Sequence, residues 1–279
     1  MDAKQFETVI RANDKGLNFG EILKYKDLIF TFVRRNFVTL YKQTVLGPAW
    51  VLISPIITSI AFTIVFGQMA NISTDGAPAI LFYFAGNSLW MYFSSSFQSV
   101  SNTFIANAHI YGKVYFPRLI IPISLIITSF INFCVQIIMF IGCYIFYLFQ
   151  GFEPNVTWAI LYVPIILLQI SILALSCGII ISSLTTKYRD LVFVVTFGLQ
   201  LWMFLSPIVY PLSTSKGAIR SLLLLNPLTM PLETFKLLLL GTGTFNLFSF
   251  IFSWLVTIIT FLIGIKLFNK IERTFVDTI

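Results

Sequence analysis

Six stretches of this 279-residue chain are apolar and long enough to cross a lipid bilayer as helices. A transmembrane helix needs about 20 predominantly apolar residues to span a hydrocarbon core of about 30 Å. Hydrophobic residues make up 57% of the sequence and charged residues only 10%, whereas roughly a quarter of the residues in soluble domains are charged. The sequence therefore predicts an all-α integral membrane protein. Its six transmembrane helices are expected at residues 47–68, 79–98, 119–149, 158–184, 191–209 and 245–266.

The positions of Lys and Arg predict how these spans are oriented. With the N-terminus placed inside, fifteen of the cations fall in inner segments and three, Lys216, Arg220 and Lys236, in outer segments. Cytoplasmic loops of membrane proteins carry an excess of Lys and Arg. We therefore expect a multi-pass membrane protein with both termini in the cytoplasm. The Lys and Arg residues of these inner segments account for the net charge of +7, so we expect no nucleic-acid partner.

An amphipathic pattern precedes the first span. Leu28, Phe32, Phe37 and Leu40 fall near one side of a helix over residues 22–41, with charged residues elsewhere. The pattern predicts a helix that lies in the headgroup region of the membrane. A cytoplasmic helix packed on a partner is the alternative. The chain is thus divided into a cytoplasmic segment at 1–46, a membrane domain at 47–268 and a cytoplasmic tail at 269–279.

A polar break separates the second and third predicted spans. In residues 99–118, apolar side chains recur at helical spacing, with polar residues such as Asn107 and Lys113 between them. Gly112 and Pro117 limit the length of a helix here. We expect a short helix in a cytoplasmic loop, at a place where an energy-supplying partner could dock.

The connection between the last two predicted spans is unusually apolar. Residues 207–244 alternate Pro breaks with short apolar runs, each too brief to span the membrane. The runs 222–225 and 235–240 predict re-entrant or interfacial helices on the outer side, because irregular backbone at membrane depth must be sheltered by protein. Such a segment could cap an exit.

The sequence lacks the chemistry of several other protein classes. No GxxxxGK[ST] phosphate loop is present, so ATP is not bound by that device. The interiors of the six predicted spans contain no Asp, Glu or Arg, which disfavours ion-gradient coupling and membrane-embedded hydrolysis. Cys134, Cys143 and Cys177 lack metal-site or disulfide spacing. We therefore predict no catalytic residue and no metal ligand, and an external energy source.

The predicted spans contain polar but uncharged residues and many aromatic ones. The polar residues serve either interhelical hydrogen bonds or a pathway for a hydroxyl-rich substrate. The aromatic residues form either an interfacial belt or surfaces that stack on sugar rings. The polar set is Asn87, Ser88, Ser94, Ser95, Ser96, Gln98, Asn132, Gln136, Gln169, Ser171 and Gln200. The aromatic set is Trp90, Tyr92, Phe93, Trp202, Phe204 and Tyr210.

Four ordered motifs resemble the membrane subunits of bacterial polysaccharide ABC exporters of the ABC-2 type, which export O-antigen, capsule or teichoic acid. They are YKQTVLGPAWVLISP at 41–55, KVYFPRLIIP at 113–122, KYRDL at 187–191, and SPIVYP at 206–211 with NPL at 226–228. Each motif alone is weak, but the four occur in order along nearly the whole chain from about residue 25.

The resemblance implies a six-span half-transporter that forms a channel as a homodimer in the bacterial inner (plasma) membrane. Two copies of a separate ATP-binding subunit would hold ATP and Mg, with no cofactor in this chain. The expected substrate is a lipid-linked polysaccharide, with O-antigen the first choice. Two alternatives remain open at this point: a permease of the same superfamily for lipids or small hydrophobic drugs, and an ATP-independent channel or flippase.

The resemblance also assigns roles to residues. The coupling helix that contacts the ATPase is implied at Ala106, Asn107, His109, Ile110, Tyr111, Gly112, Lys113 and Tyr115. Candidates for the substrate channel come instead from the polar and aromatic residues of the predicted spans, and they are Trp90, Tyr92, Phe93, Ser95, Gln98, Asn132, Gln136, Gln200, Trp202 and Tyr210. An outer gate is implied at Pro207, Pro211, Asn226, Pro227 and Pro231.

Overall fold

The computed structural model describes residues 19–42, 47, 49–111, 116–155, 158–185, 188 and 190–276, and every regular element in these ranges is a helix. The all-α prediction is thus confirmed. The helices are α1 (Phe19–Lys24), α2 (Lys26–Tyr41), α3 (Ala49–Phe62), α4 (Ala79–Ser101), α5 (Thr103–Tyr111), α6 (Ile120–Phe149), α7 (Val163–Thr185), α8 (Leu191–Phe204), α9 (Gly217–Leu225), α10 (Thr229–Leu240) and α11 (Leu247–Val276). A π-helix, Thr63–Met69, continues α3, and a 3-10 turn, Trp158–Tyr162, leads into α7.

Among the described residues, four helical segments are each long and apolar enough to cross a membrane: Ala49–Met69, Ile120–Phe149, Trp158–Thr185 and Leu247–Lys270. They match four of the six predicted spans to within a few residues. The other two predicted spans correspond to α4, whose Ser, Asn and Gln residues make it less apolar, and to the 14-residue α8. Helix α8 ends at Phe204, five residues before the predicted end at 209. The count of six crossings stays a prediction.

Helix α4 is the centre of the subunit. It packs against α3, α6, α7, α8 and α10, and every residue from Leu81 to Trp90 is buried. Ring contacts join it to α6, where Phe84 lies 5.9 Å from Phe140. A helix enclosed on all sides needs no single apolar face. The least apolar of the long helices is therefore the one most shielded by protein.

Small residues allow α7 to lie close to its neighbours. A Cβ atom at Gly178 would lie 2.6 Å from side-chain atoms of Val100 on α4, and one at Gly264 on α11 would lie 3.1 Å from the Ser176 carbonyl oxygen on α7. Membrane helices associate mainly by such close packing, because lipid offers no hydrophobic drive between them. The core of the subunit is thus the layer α4–α7–α11.

Helices α9 and α10 form a bent pair, called here the α9–α10 hairpin. Their axes differ by 94° across the break at 226–228. They contain the short helices predicted at 222–225 and 235–240 but begin five to six residues earlier. Gly241, with φ 72°, ends α10 in the left-handed conformation that glycine adopts without strain.

The loops group at two ends of the helix bundle. Ser213 donates to the carboxylate of Asp75 at 2.8 and 2.9 Å, and Gly241 lies against the backbone of Asn155. These segments were all predicted to be outer. At the opposite end, Phe104 of α5 stacks on Phe268 of α11 with ring centres 5.1 Å apart. The three predicted outer segments thus lie together at one end of the bundle, and α5 lies beside α11 at the other.

Candidate functional site

Helix α5 lies at the end of the bundle predicted to be inner. Ile105, Ala106 and His109 are exposed, whereas Ile110 and Tyr111 are half-buried. Of the residues assigned to the coupling helix, Gly112, Lys113 and Tyr115 lie outside the described residues. The exposed side of α5 is a short, mostly uncharged surface on which another protein could pack.

Asn107 interrupts α5 and ties it to α2. Its backbone is non-helical, with φ −117° and ψ 17°, and its side chain is buried. Oδ1 of Asn107 accepts a hydrogen bond from Arg35 at 3.2 Å, and Nδ2 donates to the Thr103 carbonyl oxygen at 3.1 Å. Burial lowers the pKa of the Arg35 guanidinium, which stays protonated in proteins. The guanidinium of Arg35 on α2 thus holds the bend in α5 in place.

The end of the α4–α6 connection that lies next to α6 also contacts α2. Phe32 of α2 lies 5.7 Å from Phe116, and Phe116 stacks on Tyr111 at 5.9 Å. The amphipathic segment predicted as one helix over 22–41 is broken at Tyr25. After this break, Phe32 and Val33 are its most buried described residues. Helix α2 therefore contacts both sides of the loop between α4 and α6.

The predicted channel residues differ widely in exposure. Ser95 and Gln200 are exposed, Gln98, Asn132, Trp202 and Tyr210 are half-buried, and Trp90, Tyr92, Phe93 and Gln136 are buried inside the subunit. Tyr92, for example, shares a 2.5 Å hydrogen bond with Ser171 of α7. A substrate could reach the buried group only if helices separated. The exposed and half-buried ones are accessible on the subunit surface.

Four polar residues form a polar stripe where α4 meets α8: Ser95, Gln98, Thr196 and Gln200. Gln98 donates to Oγ1 of Thr196 at 3.2 Å. Ser95 is one turn from Gln98 along α4, and Gln200 is one turn from Thr196 along α8, so each pair shares a helix face. Sequence reasoning missed Thr196, although its i, i+4 spacing to Gln200 is visible in the sequence. The stripe contains hydroxyl and amide groups without a formal charge.

Asn226 joins the α9–α10 hairpin to the end of α8. Its Oδ1 accepts from the indole N–H of Trp202 and from the backbone N–H of Leu228, both at 3.0 Å. Its Nδ2 donates to the Leu205 carbonyl oxygen and to Oγ of Ser206, both at 2.9 Å. An open cleft of about 270 Å³ lies beside this junction, lined by Trp202, Leu205, Leu222, Leu223, Leu225, Asn226 and Pro227.

Two charged residues inside the α9–α10 hairpin were not recognised from the sequence. Glu233 and Lys236 are fully buried and form an ion pair at 2.6 Å. Lys236 was assigned to an outer segment as a cation that orients the chain, but its side chain does not reach the surface. The signal that could have found the pair is the Glu-x-x-Lys spacing inside an apolar run, which places both side chains on one helix face.

The described residues contain no group of three or more His, Cys, Asp or Glu side chains that could hold a metal ion. Within the same residues, Cys134, Cys143 and Cys177 are free thiols. The predictions that this chain binds no metal and no cofactor stay predictions.

Comparisons with known proteins identify the family. The sequence matches the ABC-2 type transporter family over residues 27–240, from α2 to the end of α10. It is 26% identical over 251 residues to an O-antigen export system permease protein RfbA of Klebsiella pneumoniae, covering 90% of this chain and 94% of that protein. It is 27% identical over 218 residues to a protein of the same name from Myxococcus xanthus, covering 77% and 81%. The resemblance read from the four motifs is confirmed, and the chain belongs to the ABC-2 type transporter family of membrane permeases.

Proposed function

We propose that this chain is the permease subunit of an ATP-driven exporter that moves lipid-linked polysaccharide, O-antigen first among the candidates, across the bacterial inner membrane. Membership of the ABC-2 family and the names of two similar permeases support the proposal. The structural observation that carries it is the polar stripe on α4 and α8, with Gln98 bonded to Thr196. Hydroxyls and amides exchange hydrogen bonds with sugar hydroxyls without holding an ion.

The channel forms between two copies of the chain, with the polar stripes of both copies lining it. Beyond the stripe towards the outer end lies Trp202, which is half-buried and could stack on a sugar ring through its face. Its indole N–H is already used by Asn226, so the ring is held at a fixed orientation. The buried Phe93 supports this wall from behind, since its ring centre lies 5.2 Å from that of Trp202.

The chain crosses the membrane six times, with both termini in the cytoplasm, and the α9–α10 hairpin is re-entrant. The hairpin begins a few residues after Ser213, which contacts Asp75, and it ends at Gly241, which contacts Asn155. Asp75 and Asn155 belong to two predicted outer loops. A segment whose two ends lie at the same end of the bundle enters and leaves on one side.

Helix α5 transmits the movement of the ATP-binding subunit to the permease. Two ATP-binding subunits, one per permease copy, dock on the exposed residues Ile105, Ala106 and His109. A helix seated in a groove moves with the domain that holds it. Arg35 and Phe32 pass this movement to α2, which packs on α6.

The proposal is tested by depleting the chain from cells and measuring lipid-linked glycan in the inner membrane together with polysaccharide at the cell surface. We expect the lipid-linked glycan to accumulate while the surface polysaccharide is lost. If neither pool changes, the polysaccharide assignment is wrong, and a permease for lipids or small hydrophobic drugs becomes the function to test.

The coupling assignment has its own test. Ile105→Glu places a charge at the centre of the exposed α5 surface, where Ile105 is 44% exposed. We expect the variant to reach the membrane but to lose co-purification with the ATP-binding subunit and to lose export. Thr31→Glu, at an exposed position of α2, is the control and should retain both. Normal co-purification of Ile105→Glu would contradict docking at α5.

A further inference from the structure

A buried ion pair attaches the α9–α10 hairpin to three other segments. Besides its contact with Glu233, Nζ of Lys236 donates to the Pro207 carbonyl oxygen at 2.9 Å and lies 4.2 Å from the ring centre of Phe82. Oε2 of Glu233 accepts from the backbone N–H of Thr244 at 3.1 Å. One turn of α10 is thereby connected to the corner after α8, to the loop before α11 and to the central helix α4.

Stability alone does not explain why two charges are buried here. Removing two charges from water is costly, and replacing a buried ion pair by apolar side chains of similar volume is often neutral or stabilising. Apolar side chains, however, could not bind the Pro207 carbonyl or the Thr244 amide. Both groups belong to irregular backbone, which needs polar partners inside a membrane protein. The pair therefore attaches α10 to these two backbone groups.

The loop after α10 is shaped to reach the pair. Gly243 has φ 134°, a conformation that residues with a side chain rarely adopt. A Cβ atom at Gly243 would lie 2.9 Å from the Glu233 carbonyl oxygen. The loop can lie this close to α10 only because Gly243 has no side chain, and the close approach brings the Thr244 amide to Glu233.

We propose that Glu233 and Lys236 are positioning residues of the outer gate: their pair holds the α9–α10 hairpin in the closed position that seals the permease when no substrate passes. Asn226 fixes the bend of the hairpin to α8, and the pair fixes α10 to Pro207, Thr244 and α4. With the pair removed, the attachment at Asn226 remains as a hinge. The inference rests on the proposed function, in which this hairpin caps the exit.

The test measures the seal directly. The complete chain and its ATP-binding subunit are reconstituted into liposomes loaded with a hydrophilic dye, without ATP or glycan. The double variant Glu233→Met/Lys236→Met removes both charges and both hydrogen-bonding groups and leaves no unpaired charge buried, so it should assemble. We expect its dye leak to rise several-fold over wild type. Glu153→Met/Lys216→Met, at exposed positions, is the matched control and should stay tight.

Two further variants separate attachment from folding. Lys236→Arg keeps the charge and the donors and should restore the seal, which a role in volume filling would not predict. Gly243→Ala moves the loop away from Glu233 without changing a charge, and it should leak. Gly76→Ala is its control, because Gly76 also has a positive φ but a Cβ atom there meets nothing within 4 Å. If the double variant does not assemble, the dye leak of Gly243→Ala tests the gate assignment in its place.

A tight double variant at wild-type yield, or a tight Gly243→Ala, overturns the gate assignment. A leak from Lys236→Arg equal to that of the double variant also overturns it. The leak requires neither ATP nor glycan, so this failure is distinct from a failure of the proposed function, which appears as unchanged glycan pools in cells depleted of wild-type chain.

Discussion

Arg35 lies 72 positions from Asn107 in the sequence, yet their side chains share a 3.2 Å hydrogen bond that connects α2 to α5. A hydrogen bond to a charged group contributes about 1.5–3 kcal/mol. Its partner Asn107 sits where α5 is already non-helical, so the bond fixes the direction of the exposed residues that precede and follow the bend. Loss of the cation should therefore affect coupling more than folding.

We predict that Arg35→Ala lowers export per ATP hydrolysed several-fold, while the permease still binds its ATP-binding subunit. The physical reason is that α5 can then tilt without moving α2. The measurement is ATP hydrolysis and glycan export by the same reconstituted complex. Arg34→Ala is the matched control, because Arg34 is exposed and adjacent. Equal ratios of export to hydrolysis in wild type and Arg35→Ala would count against this role.

At the scale of elements, the contact of α4 with α7 depends on Gly178. A methyl group there would lie 2.6 Å from two side-chain atoms of Val100 and 3.2 Å from the Phe97 carbonyl oxygen. Neither neighbour is the free end of a flexible side chain, so the two helices must move apart. Overpacking of this kind costs about 1–3 kcal/mol.

We expect Gly178→Ala to lower the thermal unfolding midpoint of the purified protein in detergent. Gly142→Ala is the control, because a Cβ atom at Gly142 on α6 meets nothing within 4 Å. Ala is a better helix former than Gly by about 1 kcal/mol, so this control should be neutral or slightly stabilising. An unchanged midpoint for Gly178→Ala would mean that α4 and α7 can repack around the methyl group.

The elements show which parts of the fold a sequence can predict. The helices α3, α6, α7 and α11 were predicted because length and apolarity are properties of the sequence itself. The central position of α4 was not, because hydropathy does not tell burial by protein from burial by lipid. The buried pair in α10 was missed for a related reason: Lys236 was assigned by its place between spans, whereas its burial comes from the packing of α10 against α4 and the corner at Pro207.

The roles assigned to the site residues stay predictions, but the structure shows where those residues lie. Motif order assigned Asn226 to an outer gate, and the structure gives that residue bonds to both sides of the junction between α8 and the hairpin. The exposure of the channel candidates was beyond sequence reasoning, because residues on one helix face cannot be assigned to a neighbouring helix or to a surface without the packing. Tyr92 and Ser95 are three residues apart on α4, and only Ser95 is exposed.

At the scale of the whole molecule, the number of crossings determines on which side of the membrane each loop lies. Helix α8 has 14 residues, which at about 1.5 Å per residue is shorter than a hydrocarbon core of about 30 Å. The chain after α8 stays folded at the same end through Pro207, Asn226 and Lys236. A crossing by the short α8 would depend on these contacts, since irregular backbone is tolerated at membrane depth only where protein shelters it.

We predict that single cysteines at Ser73, Glu153 and Lys216 react with a membrane-impermeant maleimide added outside spheroplasts. Cysteines at Thr39 and His109 should react only after the membrane is permeabilised, in cells that lack the ATP-binding subunit proposed to cover His109. All five positions are exposed on the subunit, and the native cysteines are first replaced. The expectation follows from six crossings with both termini inside, the arrangement favoured by the excess of Lys and Arg in inner loops.

Each departure from this pattern identifies a particular helix. If α4 does not cross, His109 reports the same side as Ser73, and α5 cannot reach a cytoplasmic ATPase while Ser73 is outside. If α8 does not cross, Lys216 is protected while Ser73 and Glu153 react, and the α9–α10 hairpin cannot be an outer gate. Because Ser213 is bonded to Asp75 and Gly241 lies against Asn155, labelling at 73, 153 and 216 should agree. Disagreement among these three positions would contradict the packing of the loops as well as the topology.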